Sequence, residues 1–179
     1  MNGYPEGAGP ADHPIATEPP SILVLALGNM LLSDDGAGPA LLEQLAASPS
    51  RWPAGVEFID GGTQGLALLG QLAGRRAVII VDALQTGAPP GTVHRLTLNE
   101  LHEITPRRLL AQTSRNSGHE SNAAELIAAA ELLGELPDRL FVVGIEAQSI
   151  HTGLGLTPPV RDALPAALDQ VASLLSQLS

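Results

Sequence analysis

Three segments of this 179-residue chain place aspartate directly after a short apolar run. Ser33-Asp34-Asp35-Gly36 follows Ile22 to Leu27, Asp60-Gly61-Gly62-Thr63 follows Val56 to Ile59, and Asp82 closes Ala77 to Val81. If those runs are parallel strands, their carboxylates leave the sheet at one rim, the carboxyl end, where open α/β sheets bind ligands. Carboxylates gathered there offer oxygen ligands to a divalent cation or a general base to a hydrolytic reaction. His119, near the start of a helical pattern, can add a neutral imidazole, and two carboxylates with one imidazole suit nickel or zinc. Each aspartate also has a plainer role. Asp34 or Asp35 can cap the following helix, and Asp60 and Asp82 can anchor turns. The plainer role is favoured for any one of them alone, and a site is favoured by several converging on one edge.

The other histidines are weaker candidates. His13 lies in the N-terminal segment, His94 is expected to face solvent on a strand, His102 sits in a loop, and His151 follows the last strand where it can border a cleft. Arg107-Arg108 reads as a solvated surface pair. The Gly61-Gly62-Thr63-Gln64-Gly65 turn precedes a helix and has amides to offer a phosphate, but close packing is the simpler use of its glycines. There is no Gly-x-Ser-x-Gly elbow, Walker A sequence or Gly-x-Gly-x-x-Gly fingerprint after the first strand.

The elements that position these residues follow from periodicity. Ile22 to Leu27, Val56 to Ile59, Ala77 to Val81 and Leu140 to Ile145 are nearly continuous apolar runs, which predicts strands buried on both faces of a parallel sheet. Thr92 to Leu98 interleaves His94, Arg95 and Thr97 with Val93 and Leu96, which predicts a more exposed strand near an edge, entered through Pro89-Pro90-Gly91. Ala37 to Ala47 aligns Leu41 with Leu45, and Ala123 to Leu133 aligns Leu126, Ala130 and Leu133. From Val160 to Leu178 the set Leu164, Leu168, Val171, Leu175 and Leu178 keeps a helical period, with Pro158 or Pro159 in the first turn. Glu100 to Gly118 reads as a loop with room for one short helix. The β-α-β order predicts a three-layer α/β/α sandwich with a twisted, mostly parallel five-stranded sheet and right-handed crossovers.

Composition narrows the chemistry. Residues 1–20 hold five prolines, three glycines and almost no large apolar side chain, so they are expected to form a flexible tail before one domain at 21–179. Nineteen acidic against nine basic residues give a net charge of −10, which opposes binding to nucleic acid or anionic membrane. With no cysteine, the chain supplies neither a disulfide nor a thiolate ligand nor a thiol nucleophile. Its apolar runs are strand-sized and no signal-peptide pattern opens the chain, so a cytoplasmic location is expected.

Four blocks in order resemble the hydrogenase maturation protease family: Leu25 to Gly38 (LALGNMLLSDDGAG), Asp60 to Gly65 (DGGTQG), Ala77 to Val93 with Ile80-Val81-Asp82-Ala83 and Pro90-Gly91-Thr92-Val93, and Val143-Gly144-Ile145 with Gly155-Leu156-Thr157-Pro158. The likeness runs from about Ile22 to the end of the chain. It implies an endopeptidase that removes the C-terminal extension from the nickel-loaded large subunit of a nickel-iron hydrogenase. It also implies metal-contacting and catalytic roles for Asp35, Asp82 and His119, with the nickel carried by the client and its thiolates supplied there. Many relatives have Glu where this chain has Asp35, and the Gly118-His119 pair departs from the usual family pattern at the histidine. The general base is left open among Asp35, Asp82, Asp34 and Asp60. Two other functions compete: a noncatalytic metal-checking chaperone of the same client, and a flavodoxin-like nucleotide or flavin module using Gly61 to Gly65. The second has little aromatic surface on which to stack a flavin, at 2% aromatic residues.

Overall fold

The computed structural model describes residues 21–103 and 123–179. Five strands form one sheet: β1 (Ile22–Leu27), β2 (Val56–Gly62), β3 (Ala77–Leu84), β4 (Val93–Thr97) and β5 (Arg139–Glu146). They lie in the order β2-β1-β3-β5-β4, parallel except for β4, which runs antiparallel along β5 as an edge strand. The helices are α1 (Ala37–Ala46), the single-turn α2 (Leu69–Leu72), α3 (Ala123–Leu133) and α4 (Pro158–Leu178).

Alternation along the central strands divides the core between two helical layers. Ala77, Ile79 and Val81 of β3 join Ile22, Val24 and Ala26 of β1 under α1 and α4. Val78, Ile80 and Leu84 join Leu23, Leu25 and Leu27 under α2 and α3. Both faces of β1 and β3 are therefore covered, and their side chains can be apolar without interruption. This is the three-layer α/β/α sandwich expected from the strand pattern.

Several details differ from the sequence reading. β2 is an edge strand, so Val56 to Ile59 are only partly buried, and the run carries Glu57, which pairs with Arg75. β3 continues two residues past Asp82, which therefore lies inside the strand and not at its exit. Leu133, assigned to the apolar face of α3, is 59% exposed at the helix end, and Ile127 is buried in the core instead. Residues 98–103 are helical, although Leu98 was read as the end of the edge strand and Glu100 as the opening of a loop. Their start is a reciprocal capping box: the Thr97 N–H donates to Glu100 Oε2 at 2.8 Å, and the Glu100 N–H donates to Thr97 Oγ1 at 3.4 Å. The N-terminal segment, the Arg107-Arg108 pair and His119 lie outside the described residues.

The order of strands reverses between β1 and β3, because β1 leads outward to β2 on one side while β3 leads to β5 on the other. Such a switch point opens a crevice at the carboxyl ends of the strands. The first turn of α1 is pressed directly against it. A Cβ on Gly38 would lie 2.2 Å from the Leu27 carbonyl oxygen and 2.6 Å from that of Val81, so only glycine permits this approach. Gly38→Ala is expected to push α1 off the sheet and to destabilise the fold by about 1–3 kcal/mol, the usual cost of overpacking. A urea denaturation curve superimposable on that of the wild type would refute this account of the contact.

Candidate functional site

The loop leaving β1 folds back over the switch point. Gly28, at φ +123°, makes the reversal, and a Cβ there would meet the carbonyl oxygen of Asp35 at 2.0 Å. The Asn29 side chain accepts the Leu31 N–H at 2.9 Å, a local turn that aims Asn29's own N–H at Asp35 Oδ2, 2.7 Å away. Burial nevertheless raises the Asp35 pKa above the ordinary carboxylate value, and the Asn29 N–H offsets only part of that shift. Asp35 is thus a half-buried carboxylate that is costly to ionise, with Oδ2 holding one N–H donor. The 3-10 turn that carries it, Ser33–Gly36, packs against β3, the strand of Asp82.

Asp82 is 6% exposed. Its Oδ1 accepts the N–H of Ala83 at 2.8 Å, and its Oδ2 accepts that of Ala123, the first residue of α3, at 3.3 Å. The helix that follows the undescribed segment therefore begins on this carboxylate. His119 stands four residues ahead of Ala123 in the sequence and lies outside the described residues. Among the described residues no group of three or more His, Asp or Glu side chains is arranged to hold a metal ion.

Asp34 has a different fate from its neighbour, and it caps nothing in α1. It is fully buried, with Oδ2 accepting the N–H groups of Gln148 and Ser149 and the hydroxyl of Thr157, while Oδ1 accepts the Thr157 N–H. Four donors on one carboxylate leave it little capacity as a base. Its work is to join the loop after β1 to the loop between β5 and α4. Backbone contacts complete the junction, with the Ser33 N–H donating to Gly153 O at 2.8 Å and the Gly153 N–H to Leu31 O at 2.9 Å. Ser33 takes φ +53°, an uncommon value for a residue with a side chain, and is held there by this junction. Asp60 is exposed and lies inside β2, not at its exit, and it accepts the Gly62 N–H at 3.0 Å where the register with β1 shifts.

His94 does not face open solvent as expected. Its side chain is 19% exposed and its Nε2 lies 3.4 Å from Oε2 of the buried Glu146. Glu146 in turn accepts the N–H and hydroxyl of Thr86 and the N–H of Gly87, fixing the loop after β3 at the same rim. Glu146 was missed because the fifth strand was expected to end at Ile145. The rule that picked out the other strand exits would have found it one residue later. His102 pairs with Glu131 at 3.1 Å on the surface, and His151 is exposed with Nδ1 2.8 Å from Ser149 Oγ.

The chain is similar to known proteins in sequence and fold. The family model for hydrogenase maturation protease matches residues 39–174. The chain is 36% identical over 159 residues to the hydrogenase 2 maturation protease of Escherichia coli strain K12, covering 87% of this chain and 91% of that one. It is 32% identical over 165 residues to the hydrogenase expression/formation protein HupD of Bradyrhizobium diazoefficiens, covering 92% and 82%. Among solved structures, the hydrogenase maturating endopeptidase HybD from E. coli superposes with a TM-score of 0.71, covering 87% of this chain and 92% of that one at 36% identity. The nickel-iron hydrogenase maturation protease HybD from Thermococcus kodakarensis gives 0.62, covering 86% and 98% at 28% identity. Neither the flavin module nor the noncatalytic chaperone is favoured by these relatives. With the family model spanning most of the domain and close relatives matching along nearly their whole length, this chain belongs to the hydrogenase maturation protease family and is an endopeptidase.

Proposed function

We propose that the client is the precursor large subunit of a nickel-iron hydrogenase, already loaded with nickel, and that the reaction removes its C-terminal extension. Asp35, Asp82 and His119 are the residues assigned to grip that nickel. The carrying observation is the packing of the turn that holds Asp35 against β3, the strand of Asp82, at the switch point, where burial raises the Asp35 pKa and a cation would relieve its charge. Asp82 lies at the same rim, and the chain reaches His119 four residues before the Asp82-bound start of α3. Without cysteine, this protein contributes only oxygen and nitrogen ligands, which complete a nickel sphere whose thiolates belong to the client.

In this proposal the client's nickel polarises the scissile carbonyl or a water as a Lewis acid, and a carboxylate takes the proton. Asp34 is unsuited to that step, with four donors already on its oxygens. Asp60 is an exposed residue of β2 with its Oδ1 engaged by the Gly62 N–H. Asp35, which holds a single N–H donor on Oδ2, is the carboxylate whose other oxygen can take the proton. Incubation with nickel-loaded precursor, followed by C-terminal mass measurement, tests the assignment. Uncut precursor after prolonged incubation would sink it.

Residues 1–17 are proposed to be dispensable, given their proline-rich composition and the start of the core at Ile22. A protein lacking Met1 to Thr17 is expected to release the client peptide within about twofold of the full-length rate, a difference of a few tenths of a kcal/mol. A folded truncation that has lost most turnover would show instead that this segment engages the client.

No helix among the described residues is long and apolar enough to cross a membrane.

A further inference from the structure

Seven large apolar side chains are exposed among the described residues, and five of them stand in loops at the carboxyl ends of the parallel strands: Met30, Leu31, Leu66, Ile150 and Leu154. Leu31 is 61% exposed and Leu154 82%, values that a folding chain would not leave at adjoining positions without a use for them. The two segments are joined: Leu32 and Gly153 form a parallel bridge, with Leu31 one residue before it on one segment and Leu154 one residue after it on the other, and Met30 and Ile150 lie two and three residues from it along the chain. The loops cannot collapse to hide these side chains, because the four-donor clasp of Asp34 and the left-handed Ser33 fix their backbone.

From the geometry we infer that Met30, Leu31, Ile150 and Leu154 form a docking surface for the stretch of client polypeptide adjoining the cut bond, an extended segment with large apolar and no acidic side chains. The inference rests on the endopeptidase reading above and assigns the residues that hold its substrate. Two observations select this occupant. The surface is continuous with the catalytic rim, since the Asn29 N–H that meets Asp35 belongs to the residue directly before Met30. It also complements an apolar chain in charge. Residues 28–33 and 149–154 contain no Asp, Glu, Lys or Arg on a protein of net charge −10, and the nearest carboxylate with open capacity is Asp35, so an acidic segment is repelled and an uncharged one is accepted.

The test compares three full-length proteins on nickel-loaded precursor: wild type, the double variant Leu31→Ser/Leu154→Ser, and a control, Leu132→Ser/Leu133→Ser, at the end of α3 far from Asp82. All the altered side chains are exposed, so circular dichroism melts should coincide. The rim variant is expected to raise KM about tenfold with kcat within about twofold, and the control to leave both unchanged. An unmoved KM, or equal shifts in rim and control variants, would overturn the inference. So would a wild-type dimer that the rim variant dissociates without a change in KM, since the patch would then hold a second copy of the chain. If wild type releases no peptide, the endopeptidase reading fails separately, and docking is judged by co-sedimentation with the precursor: binding lost in the rim variant supports the surface, and equal binding overturns it.

Discussion

Asp35→Asn is expected to abolish release of the client's C-terminal peptide, by roughly 10²–10⁴-fold for loss of a general base alone, while the folded protein melts no lower than wild type. The two halves have one cause. Burial raises the pKa of Asp35 above its ordinary value, so ionising this carboxylate opposes folding. Stability is lost as pH rises from the ordinary carboxylate range through the raised pKa, and the whole loss is present at neutral pH. Asparagine has no charge to dehydrate and retains an oxygen for the Asn29 N–H. The difference in melting temperature between variant and wild type should therefore be near zero in acid, grow across that window and then level off. A charge held at such a cost is useful where a cation relieves it, which predicts discrimination among clients. Nickel-loaded precursor should be cut, and metal-free precursor should leave Asp35 uncompensated and be cut little. Asp35→Glu keeps the charge on a longer stem and is expected to retain partial activity. Release of the C-terminal peptide from metal-free, nickel-loaded and zinc-loaded precursor, followed by mass, checks all of this. Equal cutting of metal-free and nickel-loaded forms by wild type would end the metal-sensing proposal.

The sheet was legible because its chemistry is local. Parallel strands buried on both faces must be apolar throughout, and that demand alone marks β1, β3 and most of β5 in the sequence. The polar spacing of His94, Arg95 and Thr97 marked β4 as an edge, and the antiparallel pairing with β5 agrees. Strand length was less legible, because Asp82-Ala83-Leu84 and Glu146 carry the ladder into residues whose polarity suggests a loop. The edge position of β2 was signalled only by Glu57, a single charge that the three apolar residues around it masked. At the site, the aspartates were found but their roles were not separable by sequence. Asp34 and Asp35 are consecutive and chemically identical, and only the distant Gln148, Ser149 and Thr157 decide which of them is consumed by structure. The Gly155-Leu156-Thr157-Pro158 block carried that partner in plain view, but no periodicity connects residues more than a hundred positions apart. Asn29 was similarly visible as a residue and hidden as a positioner, because its effect passes through a backbone N–H.

Asp34→Ala should show the opposite profile, a large loss of stability, about 3–5 kcal/mol, from a residue with no assigned part in the chemistry. Its carboxylate is fully buried and receives three backbone N–H groups and one hydroxyl from three residues of the β5–α4 loop. Alanine strands those donors. Each unsatisfied buried donor costs about 1–3 kcal/mol, and entry of water into the space left behind keeps the total below the sum. Asp34→Asn is expected to do only slightly better, because the amide keeps one acceptor oxygen and turns an NH₂ toward a clasp in which only the Thr157 hydroxyl, and none of the three backbone N–H groups, can accept. The damage should also be local before it is global. Amide exchange at Gln148, Ser149 and Thr157 should accelerate first, since their N–H groups are the ones released, followed by the Arg161 N–H, which donates to Thr157 O in the first turn of α4. With the clasp open, the Leu32–Gly153 bridge loses its support, and Asp35, one residue further on, loses the fixed backbone that aims it. At matched folded concentration the variant should therefore cut more slowly and with a raised KM, through misplacement of Asp35 and of the apolar lip together. Denaturant titration and residue-resolved hydrogen exchange on wild type, Asp34→Ala and Asp35→Asn separate the two neighbours. An Asp34→Ala protein with wild-type stability and unchanged protection at Gln148, Ser149 and Thr157 would show that this carboxylate does not hold the rim together, and the rigidity required of the docking surface would fall with it.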